Sequence, residues 1–197
     1  GQSETFEVEN NPNDPEAGTR PVTFSRNLYV ESDDFLETPI PKYKRLYPDG
    51  PECRLKGAYL IKCTGCVKDE QGNVVEILAT YDPDSKGGNP ADGRKVKGAT
   101  IHWVDAETAV DAQVRLYDNL FADENPDGGD KDFLDCLNPG SLEVLEGCKL
   151  EASLANAQPS DRFQFLRLGY FCADSKDSKP GALVFNRAVS LKDGFKK

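Results

Sequence analysis

The chain contains no methionine, one histidine and one tryptophan, and no apolar run near the roughly 20 residues of a membrane-spanning helix. Each scarcity removes a class of function. A single histidine cannot build a multi-histidine metal site, and His102 lies in the strand-like stretch ATIHWV, where a structural role is expected. The first residues, GQSETFEVENNPND, lack the charged-then-apolar order of a signal peptide, so the chain reads as soluble and cytoplasmic. Starting at glycine and lacking methionine, it also reads as a segment of something longer. Six cysteines (Cys53, Cys63, Cys66, Cys136, Cys148, Cys172) are too few and too irregularly spaced for a disulfide framework, and reduced thiols are expected.

Basic charge is also scarce. The net charge of −10 over 197 residues argues against a generic nucleic-acid coat, since phosphate binding is driven by Lys and Arg releasing counterions. The charge is unevenly spread, however. Residues 105–135 hold ten acids against Arg115 and Lys131, whereas residues 42–62 hold six bases against Asp49 and Glu52, and residues 86–97 hold four bases against Asp92. An acidic body carrying local basic strips suits specific binding with weak non-specific binding.

Helix signals are few. Turn residues recur along the chain (Asn13-Asp14-Pro15, Pro48-Asp49-Gly50-Pro51, Gln71-Gly72-Asn73, Pro139-Gly140, Lys179-Pro180-Gly181), and the short segments between them favour an all-β fold. The clearest hairpin is GAYLIKCTGCV, the turn KDEQGN, then VVEILATYD. Further strands are expected at residues 20–24, 27–30, 100–104, 113–120, 142–145, 163–171 and 183–191, with a turn or two of helix at 32–36 and 130–137. Small antiparallel sheets with this turn density bury their edges by closing into barrels.

Candidate chemistry is thin. Cys63-Thr-Gly-Cys66 has the spacing of half a zinc site, but within a strand residues three apart point to opposite faces, and no second pair follows. The Asp-rich run from Asp123 begins like a calcium loop, yet Leu134 stands where a closing Glu belongs. Gly93-Arg-Lys-Val-Lys-Gly98 lacks phosphate-loop spacing and leads into a strand. What remains is PKYKRLYPDGPECRLKGAY, residues 41–59, where bases alternate with tyrosines. RNA read in a loop calls for this mixture: guanidinium forks, ammonium charges and aromatic faces.

The stretch ATYDPDSKGGNPADGRKVKGATIHWVDA, residues 79–106, resembles the signature segment of the anticodon-binding region of glutaminyl-tRNA synthetases. NPNDPEAGTRPVTFS (11–25), YKRL with RLKGAYLIK, VRLYDNLF (114–121), FLDCLNP (133–139), FQFLRLGYFCAD (163–174) and VFNRAVSLKD (184–193) surround it in the family's order. The resemblance implies an all-β fold of two six-stranded antiparallel β-barrels. Residues 1–108 with 184–197 would form the proximal barrel, and the inserted residues 109–183 the distal one. It further implies glutamine tRNA as partner through its anticodon loop, and an N-terminal catalytic domain of the same polypeptide as a second partner. ATP and magnesium would serve that domain; this chain would hold no catalytic residue, cofactor or metal and meet no membrane.

Carried over by position, Arg54 and Lys56 would meet the first anticodon base and its phosphate, and Lys44 and Arg45 the third. Gln164 and Arg167 would line the pocket for the second, while Asn13 and Lys42 fall near the same surface. Two positions depart from the family. Leu166 stands where a glutamate orients the neighbouring arginine, and Lys56 replaces an arginine, which keeps a charge but loses a bidentate fork. Two other readings remain open: the same region of an archaeal- or eukaryotic-type glutamyl-tRNA synthetase, and a non-catalytic β-module binding protein or glycan.

Overall fold

The computed structural model describes residues 3–129 and 131–191. Among the described residues all regular elements are β-strands or 3-10 turns, the turns of at most five residues. No helix among the described residues is long and apolar enough to cross a membrane. The chain divides into two compact units, Gly1–Thr108 and Ala109–Lys197.

In the first unit, β1 (Glu4–Glu9) and β2 (Thr19–Phe24) form an antiparallel hairpin, followed by β3 (Leu28–Val30). Next come β4 (Cys53–Leu55), β5 (Leu60–Lys68), β6 (Val74–Asp82), β7 (Thr100–Ile101) and β8 (Trp103–Asp105). They make a four-stranded sheet of order β6-β5-β4-β7 and a β3-β8 ladder. Period-two alternation buries one face of each strand: Phe6 on β1, Val22 and Phe24 on β2, Cys53 and Leu55 on β4. Phe24 is the hub, with ring centroids 6.0 Å from Phe6, 5.0 Å from Tyr59 and 5.6 Å from Trp103. Aromatic pairs of this kind, two edge-to-face and that with Tyr59 tilted, contribute about 0.5–1.5 kcal/mol each beyond burial.

In the second unit, β9 (Val110–Tyr117), β10 (Leu142–Leu150), β11 (Arg162–Phe165), β12 (Gly169–Ala173) and β13 (Leu183–Ser190) form one sheet of order β10-β9-β13-β12-β11. Its core is Phe185, with no exposed surface, packed with Ala112, Val114, Phe171 and Leu183.

The fold is all-β as expected, and the described strands form open sheets of two, five, two and four strands. Several details differ from the sequence reading. Two pairings, β4 with β7 and β13 with β9, are parallel, not antiparallel. The sequence reading places residues 184–197 with the first unit. Those described run along β9 and β12 in the second, because Val184 and Phe185 bury there; residues 192–197 lie outside the described residues. The single strand expected at 100–104 is two strands interrupted at His102, and that at 163–171 is split by a turn with Arg167 at φ 66°. The short helices expected at 32–36 and 130–137 are 3-10 turns, Ser32–Asp34 and Phe133–Cys136, the second capped by Asp132 accepting from Leu134 N at 2.9 Å. Asp130, inside the second expectation, lies outside the described residues.

A bulge also overturns the premise about Cys63 and Cys66. Cys63 pairs with Ala79 and Cys66 with Ile77, with the register shifting between Cys63 and Gly65. Because Ala79 and Ile77 lie two apart, both thiols sit on the core-facing side of β5. Burial pushes the Cys63 thiol above its usual range, the opposite of what a reactive thiolate requires.

Candidate nucleic-acid interface

The basic strip of the first unit begins in a segment that cannot be regular strand. Pro39, Pro41, Pro48 and Pro51 each remove a backbone donor. Lys42 turns the chain at φ 68°, and Tyr43 N donates to Ile40 O at 3.1 Å. Leu46, 2% exposed, anchors the segment in the core and forms an isolated parallel bridge with Phe35. The Lys44 carbonyl accepts from Ala99 N at 2.7 Å, and Arg54 N donates to Ala99 O at 3.0 Å, so Lys44 and Arg54 meet at one residue of the chain preceding β7. Cys53 Sγ also donates to the Lys44 carbonyl, at 3.5 Å.

Strand parity then decides which side chains face outward. With Cys53 and Leu55 buried on β4, Arg54 and, just past the strand, Lys56 take the opposite face. The Lys56 backbone is held at both ends: its N–H donates to Ile101 O at 3.0 Å and its carbonyl accepts from Trp103 Nε1 at 3.0 Å. Among the described residues Lys42, Lys44, Arg54 and Lys56 have no carboxylate partner. Some other cations are matched: Lys68 with Glu37, Lys131 with Asp123, Arg115 with Asp177.

The loop between β6 and β7 fixes Arg54. Arg54 Nε donates to Gly88 O. Gly88 has φ 88°, and a Cβ there would stand 2.9 Å from both Cγ and Cδ of Arg54, so the loop backbone lies directly on the arginine stem. Arg94 holds that loop down. Its Nε and Nη2 fork onto Glu52 at 2.9 Å each, Nη2 also reaches Asp82 at 2.5 Å, and Nη1 reaches Asp92 at 3.0 Å. Hydrogen bonding from Arg94 holds the Asp82 carboxyl below its usual range. A Cβ on Gly98 would run into the Glu52 carbonyl, which fixes the loop's approach to β4.

Arg45 is held from beneath. Its Nε pairs with Asp34 Oδ1 at 3.3 Å, and its Nη1 donates to Asp33 O at 3.1 Å. Tyr43 OH donates to the same carbonyl at 2.9 Å, and burial raises its phenol above the usual value. The Tyr43 and Tyr47 rings lie 6.3 Å apart, both half-buried. Tyr59 is the exception to the expected alternation of bases and accessible tyrosines: it is 3% exposed, and its phenol, pushed up to about 12 by burial, donates to Glu4 Oε2 at 2.8 Å.

The other sequence-derived candidates stand elsewhere. Asn13 is in the β1–β2 connection, exposed, its N–H donating to Asn11 Oδ1 at 3.0 Å. Gln164 and Arg167 belong to the second unit. Gln164 is on the solvent face of β11 opposite Tyr170, between the inward Phe163 and Phe165, and Arg167 is exposed in the β11–β12 turn. Leu166 and Leu168, beside Arg167, are 37% and 42% exposed.

The supporting residues Asp34, Gly88, Arg94 and Glu52 were not singled out from the sequence. Only Asp34 carries a local signal, within the turn of helix expected at residues 32–36. The Arg94–Glu52 fork spans 42 residues and leaves no trace in spacing.

Comparison with known proteins fits this geometry. Residues 1–82 and residues 100–174 match two family models, each described as tRNA synthetases class I (E and Q), anti-codon binding domain. Among curated proteins, the chain is 53% identical over 197 residues to a glutamine–tRNA ligase of Clostridium kluyveri, covering 100% of this chain and 35% of that protein. It is 54% identical to one of Pseudomonas putida, covering 99% of this chain and 34% of that protein. It is 55% identical to one of Bordetella pertussis, covering 99% and 33%. The chain thus spans about a third of the length of the curated relatives it matches. With both units matched and the basic strip held on β4 and its neighbours, the chain belongs to the anticodon-binding domain family of the class I (E and Q) tRNA synthetases.

Proposed function

We propose that this chain is the anticodon-reading region of a glutamine–tRNA ligase, binding the anticodon loop of glutamine tRNA so that the full-length enzyme attaches glutamine with ATP. The observation that carries the reading is the cluster of Lys42, Lys44, Arg54 and Lys56 without carboxylate partners, joined by Arg45, on a chain of net charge −10. Uncompensated cations in an acidic body supply a local anion site without general affinity for polyanions. On this reading Arg54 and Lys56 meet the first anticodon base and its phosphate, Lys44 and Arg45 the third, and Gln164 and Arg167 the second. Lys42 and Asn13 border the surface. The chemistry, with ATP and magnesium, belongs to a catalytic domain outside this sequence, and the chain's own part is selective binding.

The test is binding of the 197-residue chain to a fluorescent glutamine-tRNA anticodon stem-loop at low and moderate salt, beside a loop substituted at its second base and the loop of glutamate tRNA. Tighter binding to the glutamine loop, weakening as salt rises and reduced in Arg54→Ala and Gln164→Ala, is expected. Equal binding to all three loops would remove the base assignments, and preference for the glutamate loop would reassign the specificity.

A further inference from the structure

We propose that Asp34 is a positioning residue for Arg45 and thereby sets the reading of the third anticodon base; the base assignment rests on the function proposed above. Asp34 has no exposed surface, yet it carries a carboxylate. A buried ion persists only where it is paired and hydrogen-bonded, and removing its partner leaves an uncompensated charge. The cation beside it is Arg45, 3.3 Å away at Nε and 39% exposed at its side chain, so the pair joins the interior to the surface.

The backbone holds both partners in register. Asp34 N donates to Glu31 O at 2.9 Å, Leu46 N donates to Asp34 O at 2.9 Å, and Leu36 N donates to Leu46 O at 3.1 Å. The segment carrying Asp34 is therefore laced to the residue following Arg45, which keeps the two side chains' attachment points in register.

An exposed arginine ordinarily samples many rotamers, and fixing it is costly in entropy. Here the Asp34 carboxylate lies 3.3 Å from Nε as an ion pair, and the Asp33 carbonyl accepts from one N–H of Nη1. Those two contacts fix the guanidinium at Nε and Nη1, and it keeps N–H donors at its Nη1–Nη2 end for a base edge. A planar fork held in advance discriminates base edges; a free one supplies only charge. The same carboxylate removes part of Arg45's net charge, so Arg45 adds geometry while Lys42, Lys44, Arg54 and Lys56 add attraction.

The experiment compares wild type, D34N and R45A as 197-residue chains, with D34S alongside in case the asparagine amide prevents folding. One readout needs no RNA: the order of the Arg45 Nε–H group by NMR relaxation. It is expected to be rigid in wild type and mobile in D34N. The second readout is binding to the glutamine stem-loop and to loops substituted at the third or the second base. D34N is expected to reduce third-base discrimination about tenfold and leave second-base discrimination unchanged. In the R45A background it should change neither. An Arg45 equally rigid in D34N, or a parallel fall in both ratios, overturns the proposal, because a merely structural role would move both. If wild type fails to distinguish the loops, the functional reading falls, and the order of Arg45 alone then decides the Asp34 assignment.

Discussion

Single residues set the geometry of the strip, and Gly88 is the clearest case. Its φ of 88° is left-handed, and the space where a Cβ would project is filled by the Arg54 stem. Gly88→Ala therefore meets two penalties: about 1–2 kcal/mol for an L side chain in that conformation, and displacement of Arg54. The expected outcome is a lower urea midpoint, followed by the fluorescence of Trp103, the only tryptophan, which is 3% exposed in the first unit. Loss of affinity for the stem-loop comparable to that of Arg54→Ala should accompany it. Unchanged stability and binding would show that the loop yields without moving the arginine.

Asp174 gives the corresponding test in the second unit. Its carboxylate accepts from Asn186 Nδ2 at 2.6 Å and from the N–H groups of Lys176 and Asp177 at 2.8 Å each, and these bonds lower its pKa to about 2. The folded state thus binds its proton less readily than the unfolded chain does. The stabilisation is fully present above the ordinary carboxylate value near 4 and is lost as pH falls toward 2. Asp174→Asn should be less stable than wild type at pH 7, with the gap closing between pH 4 and 2. Hydrogen exchange at the Lys176 and Asp177 amides measures it, and a gap independent of pH would assign the linkage elsewhere.

At the scale of elements, β13 shows what can be predicted and what had to be seen. LVFNRAVS reads as a strand from its branched and aromatic content, and it is one. Its neighbours are not legible. Parallel pairing with β9 brings together residues about 70 apart in sequence, such as Phe185 and Val114, and no local pattern encodes that partner. Phe185→Ala is expected to destabilise the second unit by about 3–5 kcal/mol, since it empties a site of no exposure where the Phe163 and Phe165 rings lie 5.9 Å and 5.5 Å away. Hydrogen exchange along β9, β12 and β13 would record it, and exchange slowed as in wild type would contradict β13 as the centre of that core.

The same limit explains the other differences. The hairpin of β5 and β6 was readable because its signals are local, whereas the bulge that turns Cys66 inward depends on how Leu78 meets Gly65. Three-residue β4 is too short to show a period. The strip's outward residues came from composition and resemblance; their supports, Asp34, Gly88 and Arg94, are long-range partners that composition cannot pair.

For the whole molecule the deciding quantity is charge. The chain carries −10 overall with an isoelectric point near 4.7, so a polyanion meets net repulsion at neutral pH except at the basic strip. If the six candidate cations Lys42, Lys44, Arg45, Arg54, Lys56 and Arg167 each neutralise one phosphate, the slope of log affinity against log salt is at most about six times −0.7, or about −4, for a single strand. Base-directed forks such as Arg45 lower that bound, while Lys44→Ala and Lys56→Ala should each flatten the slope by roughly 0.7. Fluorescence titration of the stem-loop at several salt concentrations gives all three slopes. A wild-type slope much steeper than −4 would mean that cations beyond these six contact phosphate. A slope near zero, with affinity retained, would mean that the strip does not neutralise phosphate, and the surface would then fit an uncharged ligand better than an RNA.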